Sequence, residues 1–219
     1  MRKTIILITS ILILNSFALD AQTEKGRIVV GGNSTFGLMG TGNDVMSIGV
    51  STIKFKSDID GFEEDEADKV TSINFIPKLG VFAANNLLIG LDISLAYQKN
   101  TNGGNSDDTY SRRLISAGPF VRYYFPTNSI KPFIEATSSF GSIKSKSEDE
   151  DYSDESSDQL TAFGGGLGVA IPIGNKASFD ILAHYTSFTT KAKEDNDNNN
   201  RVVVGTLGLK LGFVILLGN

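Results

Sequence analysis

The sequence predicts an all-β chain folded as an eight-stranded antiparallel up-and-down transmembrane β-barrel. Three observations carry that prediction. Apolar residues alternate with polar or small ones in eight separate segments, the links between segments alternate long and short, and glycines share one set of strand positions with the charges. No capped helical segment competes with this period-two pattern.

Ahead of the first strand, Met1-Arg2-Lys3 forms a basic head, Thr4 to Ala18 an apolar stretch, and Leu19-Asp20-Ala21 a small-residue site. These are the three regions of a secretory signal peptide, with cleavage expected after Ala21 and Ala18 as the alternative. The apolar part is shorter than the ~20 residues of a helical membrane span, so the segment reads as a leader, 1–21, and not as an anchor. Residues 22–219 then form one barrel domain.

The first strand presents Ile28, Val30, Phe36 and Leu38 on one face, and the second presents Ile73, Phe75, Pro77, Leu79 and Val81. Leu87, Ile89, Leu91, Ile93, Leu95 and Tyr97 mark the third, and Ile115, Ala117, Pro119, Val121 and Tyr123 the fourth. Ile134, Ala136 and Phe140 mark the fifth, Phe163, Leu167, Val169 and Ile171 the sixth, and Phe179, Ile181, Ala183 and Tyr185 the seventh. Val203, Leu207, Leu209, Leu211 and Phe213 close the series. Successive side chains of a strand face opposite ways, so each segment has one apolar face.

Short links fall at Asn85-Asn86, Pro126–Ser129 and Gly174-Asn175-Lys176, where Asn and Gly tolerate the positive φ of tight turns. Long loops are expected near 40–69, 99–109, 143–159 and 191–200. The alternating stretch Val45 to Phe55 inside the first long link reads either as a strand extension above the membrane or as a ninth strand that would spoil the even count, and it is placed outside the bilayer.

The face opposite the apolar one holds Arg27, Lys78, Asp92, Arg112, Arg122, Lys131, Glu135, Asp180, His184 and Lys210. Gly31, Gly90, Gly118, Gly164, Gly166, Gly168, Gly208 and Gly212 are interleaved with them. Glycine on a solvated face only weakens a strand. Inside an eight-stranded lumen, just wide enough for side chains to fill, it makes room for large neighbours. The barrel is therefore inside out. Lipid meets the apolar set, on odd numbers from Thr71 onward except for Ile134, Ala136 and Phe140, and the one charge in that set is Arg113 at the mouth of the fourth strand.

The lumen candidates for ion pairing are Arg122, Glu135, Lys78, Asp92, Asp180 and Lys210. The turn at Pro126–Ser129 is expected to set Arg122 opposite Phe133 and Phe120 opposite Glu135, making Arg122 and Glu135 diagonal neighbours. Tyr123, Phe125, Phe179 and Phe213 at the short-turn ends, and Phe36, Phe75, Tyr97, Phe163 and Tyr185 toward the long-loop ends, form the two expected girdles.

The runs FIPKLGVFAANNLLIGLDISLAY, SAGPFVRYYF, KPFIEA and GGGLGVAIPI resemble the small outer-membrane β-barrel family of Gram-negative bacteria, of the OmpX-like eight-stranded type. The resemblance spans essentially all of the mature chain. It implies an outer-membrane location, periplasmic termini, insertion by the barrel assembly machinery, and contact with outer-membrane lipids and lipopolysaccharide. Leu207, Leu209, Leu211 and Phe213 look like the C-terminal assembly signal, although Val214 to Asn219 follow the aromatic on which such chains usually end. The family carries no common catalytic residues, and none are transferred.

A net charge of −5 without a basic stripe argues against a nucleic-acid partner. The absence of cysteine removes disulfides, thiolate metal sites and a lipoprotein anchor, and a single histidine leaves little for zinc, so no cofactor is expected. The acidic runs Asp58–Asp68 and Glu148–Asp158 read as solvated extracellular loops, with divalent cations or a surface partner as candidate ligands, but neither has an EF-hand pattern. His184 with Ser178 or Ser187 is the only histidine-based start to a catalytic site, and its lumen position turns it away from lipid; no enzyme is expected. The expected function is a structural or surface-interaction role in the outer membrane. A narrow porin-like channel for small solutes with a weak anion preference is the first alternative, and a lipid-modifying barrel enzyme or a soluble ligand-binding barrel ranks below it. The sequence leaves the oligomeric state open.

Overall fold

The computed structural model describes residues 23–39, 48–53, 68–102, 109–127, 129–149, 152–193 and 200–218. The leader, residues 58–67 of the first acidic run and residues 194–199 lie outside the described residues. The strands are β1 (Ile28–Met39), β2 (Gly49–Ile53), β3 (Asp68–Ala84), β4 (Leu87–Thr101), β5 (Thr109–Tyr124), β6 (Lys131–Asp149), β7 (Tyr152–Ile173), β8 (Ala177–Ala192) and β9 (Val202–Leu217). Every pairing between these strands is antiparallel, and β1 pairs with both β9 and β3. Eight strands, β1 and β3 to β9, thus close into an up-and-down barrel with no free edge.

β2 stands outside that ring. β1 follows β3 only as far as Asn33 opposite Ile76, and β2 takes over the vacated edge by pairing with Asp68–Ser72. Within the stretch read at Val45 to Phe55, of which 45–47 and 54–55 lie outside the described residues, Gly49–Ile53 form a short extra strand, and the closed count stays even. Between the two, Asn74 replaces the ladder with its side chain: Thr35 N–H donates to Asn74 Oδ1 at 2.8 Å, and Asn74 Nδ2 donates to Thr35 O at 3.2 Å.

Asn86, at φ 66°, and Gly174, at φ 63°, make the tight turns. Asn86 also anchors the incoming chain, donating its N–H to Thr23 O at 2.8 Å, while Gly26 N–H donates to Phe82 O at 2.8 Å. The segment before β1 is thereby tied beneath the short-turn end.

The loop expected at 143–159 is instead a paired hairpin, from Ile143 opposite Asp158 to Asp149 opposite Tyr152. Neither Gly nor Pro occurs between Gly141 and Gly164, so nothing interrupts the ladder. Exposed charges also meet across it, with Lys144 Nζ 3.3 Å from Glu155 Oε1. The acidic run Glu148–Asp158 is thus largely strand. At the 99–109 and 191–200 links, β4 continues to Thr101 and β8 to Ala192.

The apolar set faces out. Leu91, Phe163 and Leu167 are 58%, 59% and 66% exposed, whereas Arg122 and Glu135 are each 1% exposed. β6 carries its outward residues on even numbers, because β5–β6 and β6–β7 partners join an even position to an odd one. Outward apolar positions run from Ile73 to Val81 in β3, Leu87 to Tyr97 in β4 and Ile115 to Tyr123 in β5. Those lengths match the ~9–11 residues of a tilted membrane strand. Tyr123 meets Phe125 edge-on at 5.4 Å and Phe179 lies 5.0 Å from Phe213 at the short-turn end; Phe140 meets Phe163 at 6.3 Å nearer the other rim. The ladder lapses without a change of register at Pro77 between β3 and β4 and at Pro119 between β5 and β6, since a proline nitrogen has no hydrogen to give.

Leu91→Arg places a charge in the middle of the apolar band and is expected to lower unfolding free energy by about 2–4 kcal/mol, against about 0–1 kcal/mol for Thr71→Arg at the rim. Urea titration of the barrel in lipid vesicles, read by heat-modifiable gel migration, measures both. Equal losses at the two positions would contradict the inside-out arrangement.

Candidate functional site

The lumen is filled in layers. Nearest the short turns, Val29, Phe82, Leu88, Phe120, Tyr124, Phe133, Ala170, Leu182, Val214 and Leu216 form a buried apolar layer. Glycine makes room for it: a Cβ on Gly168 would lie 2.4 Å from Phe133 Cζ, and one on Gly90 2.6 Å from Phe120 Cε1.

Ionic groups are set into this layer, with Arg122 between Phe120 and Tyr124 along β5 and Asp180 next to Leu182 along β8. β5 and β6 place Arg122 directly opposite Glu135, and Phe133 faces Tyr124. The expected diagonal relation is therefore corrected to a direct cross-strand pair, two positions away from the predicted register. The longer link, Phe125 to Ile130, lets β6 begin later than the Pro126–Ser129 turn implied.

Arg122 Nε donates to Glu135 Oε2 at 2.7 Å, and Arg122 Nη2 lies 2.7 Å from the same oxygen. Lys78 Nζ donates to that oxygen from β3, also at 2.7 Å. Arg122 Nη1 reaches the carboxylate of Asp180 on β8 and donates to Tyr124 OH at 2.9 Å. Ser178 Oγ donates to the other Asp180 oxygen at 2.8 Å. Lys78 Nζ is 3.6 Å from Asp92 Oδ1, an ion pair without a hydrogen bond. Aromatic faces complete the cage, with Arg122 Cζ 3.8 Å from the Phe133 ring centre and Lys78 Nζ 4.0 Å from that of Phe120.

Five of the six expected ion-pair residues thus meet in one network. Lys210 instead lines a small cavity of about 40 Å³ above it, with Asp92, His184, Thr137, Thr186 and Thr206 among the other walls. His184 is buried, its Nδ1 lies 3.1 Å from Thr186 Oγ1, and its Nε2 has no hydrogen-bond partner among the described residues. Neither serine considered with it is assembled into a catalytic pair: Ser178 serves Asp180, and Ser187 lies on the outward parity of β8. No group of three His, Cys, Asp or Glu that could hold a metal ion occurs among the described residues.

A second apolar layer lies above the cavity, where Leu114, Ile143, Leu160, Ala162 and Phe188 pack with Ala96 and Val204. Sequence reasoning did not anticipate the two apolar layers. Their signal was Phe82, Phe120, Phe133, Leu114 and Leu160, apolar residues on the polar parity of their strands.

In β9, Leu207 and Phe213 are exposed on the outer wall, and the strand continues past the aromatic to Leu217, opposite Ile28. The alternation Leu207, Leu209, Leu211, Phe213 is therefore extended outward by Ile215 and Leu217.

The family described as outer membrane protein beta-barrel domain matches residues 11–210. Among solved structures, Neisserial surface protein A is similar at 16% identity and a TM-score of 0.43, over 87% of this chain and 97% of that one. OprG from Pseudomonas aeruginosa is 12% identical, with a TM-score of 0.41, over 91% and 99% of the respective chains. Ail of Yersinia pestis is 18% identical, with a TM-score of 0.38, over 88% and 99%. No curated protein sequence matches the chain.

Arg122→Met leaves Glu135 and Asp180 without their shared partner in a buried layer. A loss of about 3–5 kcal/mol in unfolding free energy is expected, measured by the same urea titration. A loss below about 1 kcal/mol, the size of a surface pair, would show that the network adds little.

Proposed function

We propose, because the chain belongs to the outer membrane protein beta-barrel domain family, that it is an outer-membrane barrel with a sealed lumen whose role is structural or surface-interacting. One observation carries this reading: the ion pairs are packed among apolar side chains in the half of the lumen nearest the short turns, and a second apolar cluster fills it toward the other rim. The cavity between them, about 40 Å³, has room for only a few waters, and a solute path would have to cross both apolar layers. That arrangement favours a structural wall over the channel reading. His184, enclosed in the lumen with neither serine placed to serve it, supports a non-enzymatic role.

In this reading the leader is removed after Ala21, and the assembly machinery inserts the barrel with β9 as its signal strand. Short turns and termini face the periplasm and the long-loop rim faces outward, the usual arrangement of such barrels. The β6–β7 hairpin then projects beyond the apolar band. Asp154 and Glu155, both exposed, lie on that projection as groups available to a surface partner or to divalent cations.

Planar-bilayer recording of the purified barrel tests the sealed lumen. No steady openings are expected from the wild-type protein, whatever the salt. Stable unitary conductance, abolished by filling the ionic layer with Gly166→Phe, would overturn the reading in favour of a pore.

A further inference from the structure

We propose that the small cavity walled by Asp92, His184 and Lys210 is a binding site for a cluster of water molecules, and that this water ties the closing strand β9 into the ion-pair network. Each of the three side chains brings a polar group that the protein leaves without a hydrogen bond. Asp92 is 6% exposed; it touches Lys78 at 3.6 Å, and its Oδ1 accepts no hydrogen bond. His184 is 5% exposed, and Thr186 meets its Nδ1 while Nε2 has no partner. Lys210 makes neither a hydrogen bond nor a contact ion pair with any described residue. Burying a polar group costs most of its hydration unless a hydrogen bond replaces it. Three such groups around one cavity therefore point to a guest that serves them all.

Their chemistry narrows the guest. The ammonium of Lys210 can only donate, and an ionised Asp92 can only accept, so the guest must accept from one and donate to the other. Asp92 repels an anion, and Lys210 repels a cation. The hydroxyls of Thr137, Thr186 and Thr206 on the same walls adapt to either role. The volume, about 40 Å³, is too small for an organic molecule. It suits about two or three waters, at ~10–15 Å³ of cavity for each.

The position of the cavity gives that water a task. Direct contacts already join Lys78 of β3, Asp92 of β4, Arg122 of β5, Glu135 of β6 and Asp180 of β8. Lys210 is the one charge in β9, the strand that closes the ring by pairing with β1. β4 and β9 are not neighbours in the sheet, so a bridge from Lys210 to Asp92 crosses the lumen. Water between the two makes them a solvent-separated ion pair and fastens the closing strand to the network. The site does not require a sealed lumen, because bound water and conductance are separate readouts.

Crystals of the folded mature barrel, soaked separately in bromide and in rubidium, test the occupant. Two or three ordered waters are expected in the cavity, at least one within hydrogen-bond distance of both Lys210 Nζ and an Asp92 oxygen, with no anomalous signal there. An anomalous peak from either ion, an empty cavity, or direct contact between Lys210 and Asp92 would each overturn the proposal. The tie is tested in solution by urea titration of Lys210→Met, Asp92→Asn and the double variant. The double variant should depart from the product of the two single changes in unfolding equilibrium constant by more than about twofold, the limit for independent sites. Lys25→Met, which removes an exposed cation at the short-turn end, should combine with Asp92→Asn within that limit. Independence of Lys210 and Asp92 would show that no bridge couples them, and the wild-type crystals keep the test decisive if a variant folds poorly.

Discussion

Hydrocarbon on the outside offers no partner to a polar group, and that single constraint organises the molecule. It requires the ladder to close, which β1 does by pairing with β9 on one side and β3 on the other. It also turns every charge in the membrane-spanning part of the strands inward, where charges must neutralise one another within a lumen that side chains fill. Glu135 meets this requirement by receiving Arg122 and Lys78 on one oxygen, and Arg122 by reaching Asp180 with its remaining nitrogen. Removing one member would leave another charge buried without compensation, the costly case for an internal ion pair.

The same narrow lumen explains the layering. Two of the large aromatic side chains enter where glycine makes room, as Gly168 does for Phe133 and Gly90 for Phe120. The aromatics admitted in this way pack around the ion pairs, and Leu114, Leu160 and Phe188 fill the lumen toward the other rim. A lumen so filled is the basis of the proposed structural role. Charge open to the surroundings is left to the rim, where the β6–β7 hairpin carries the exposed pairs Lys144–Glu155 and Lys146–Glu148.

The barrel was legible because period two is imposed by lipid on one face alone, and that signal survives in each strand from Ile73 to Phe213. The inward location of Arg122, Glu135, Lys78 and Asp180 followed from the same parity. Their mutual contacts did not, because register depends on how many residues the Phe125–Ile130 link spends before β6 begins, and composition does not encode that number. The strand character of residues 143–149 and 152–159 was hidden by charge: Lys144, Lys146, Glu148 and Glu155 read as solvated loop, although no Gly or Pro breaks the run. Above the membrane a strand needs no apolar face, so the pattern that marks it below the rim is missing there. The apolar lumen layers were missed for the converse reason, since Phe120 and Phe133 lie on the parity otherwise taken by charges.

The enclosed lumen is tested most directly by thiol accessibility, for which a chain without cysteine is well suited. Thr206→Cys sits on the wall of the inner cavity and Ser116→Cys lies in the buried lumen face of β5, while Ser153→Cys is exposed on the hairpin. With a small water-soluble methanethiosulfonate, the account predicts prompt labelling of the hairpin thiol and none of the two lumen thiols until the barrel is unfolded. Labelling of either lumen thiol in the folded barrel at a rate close to that of the hairpin thiol would contradict it.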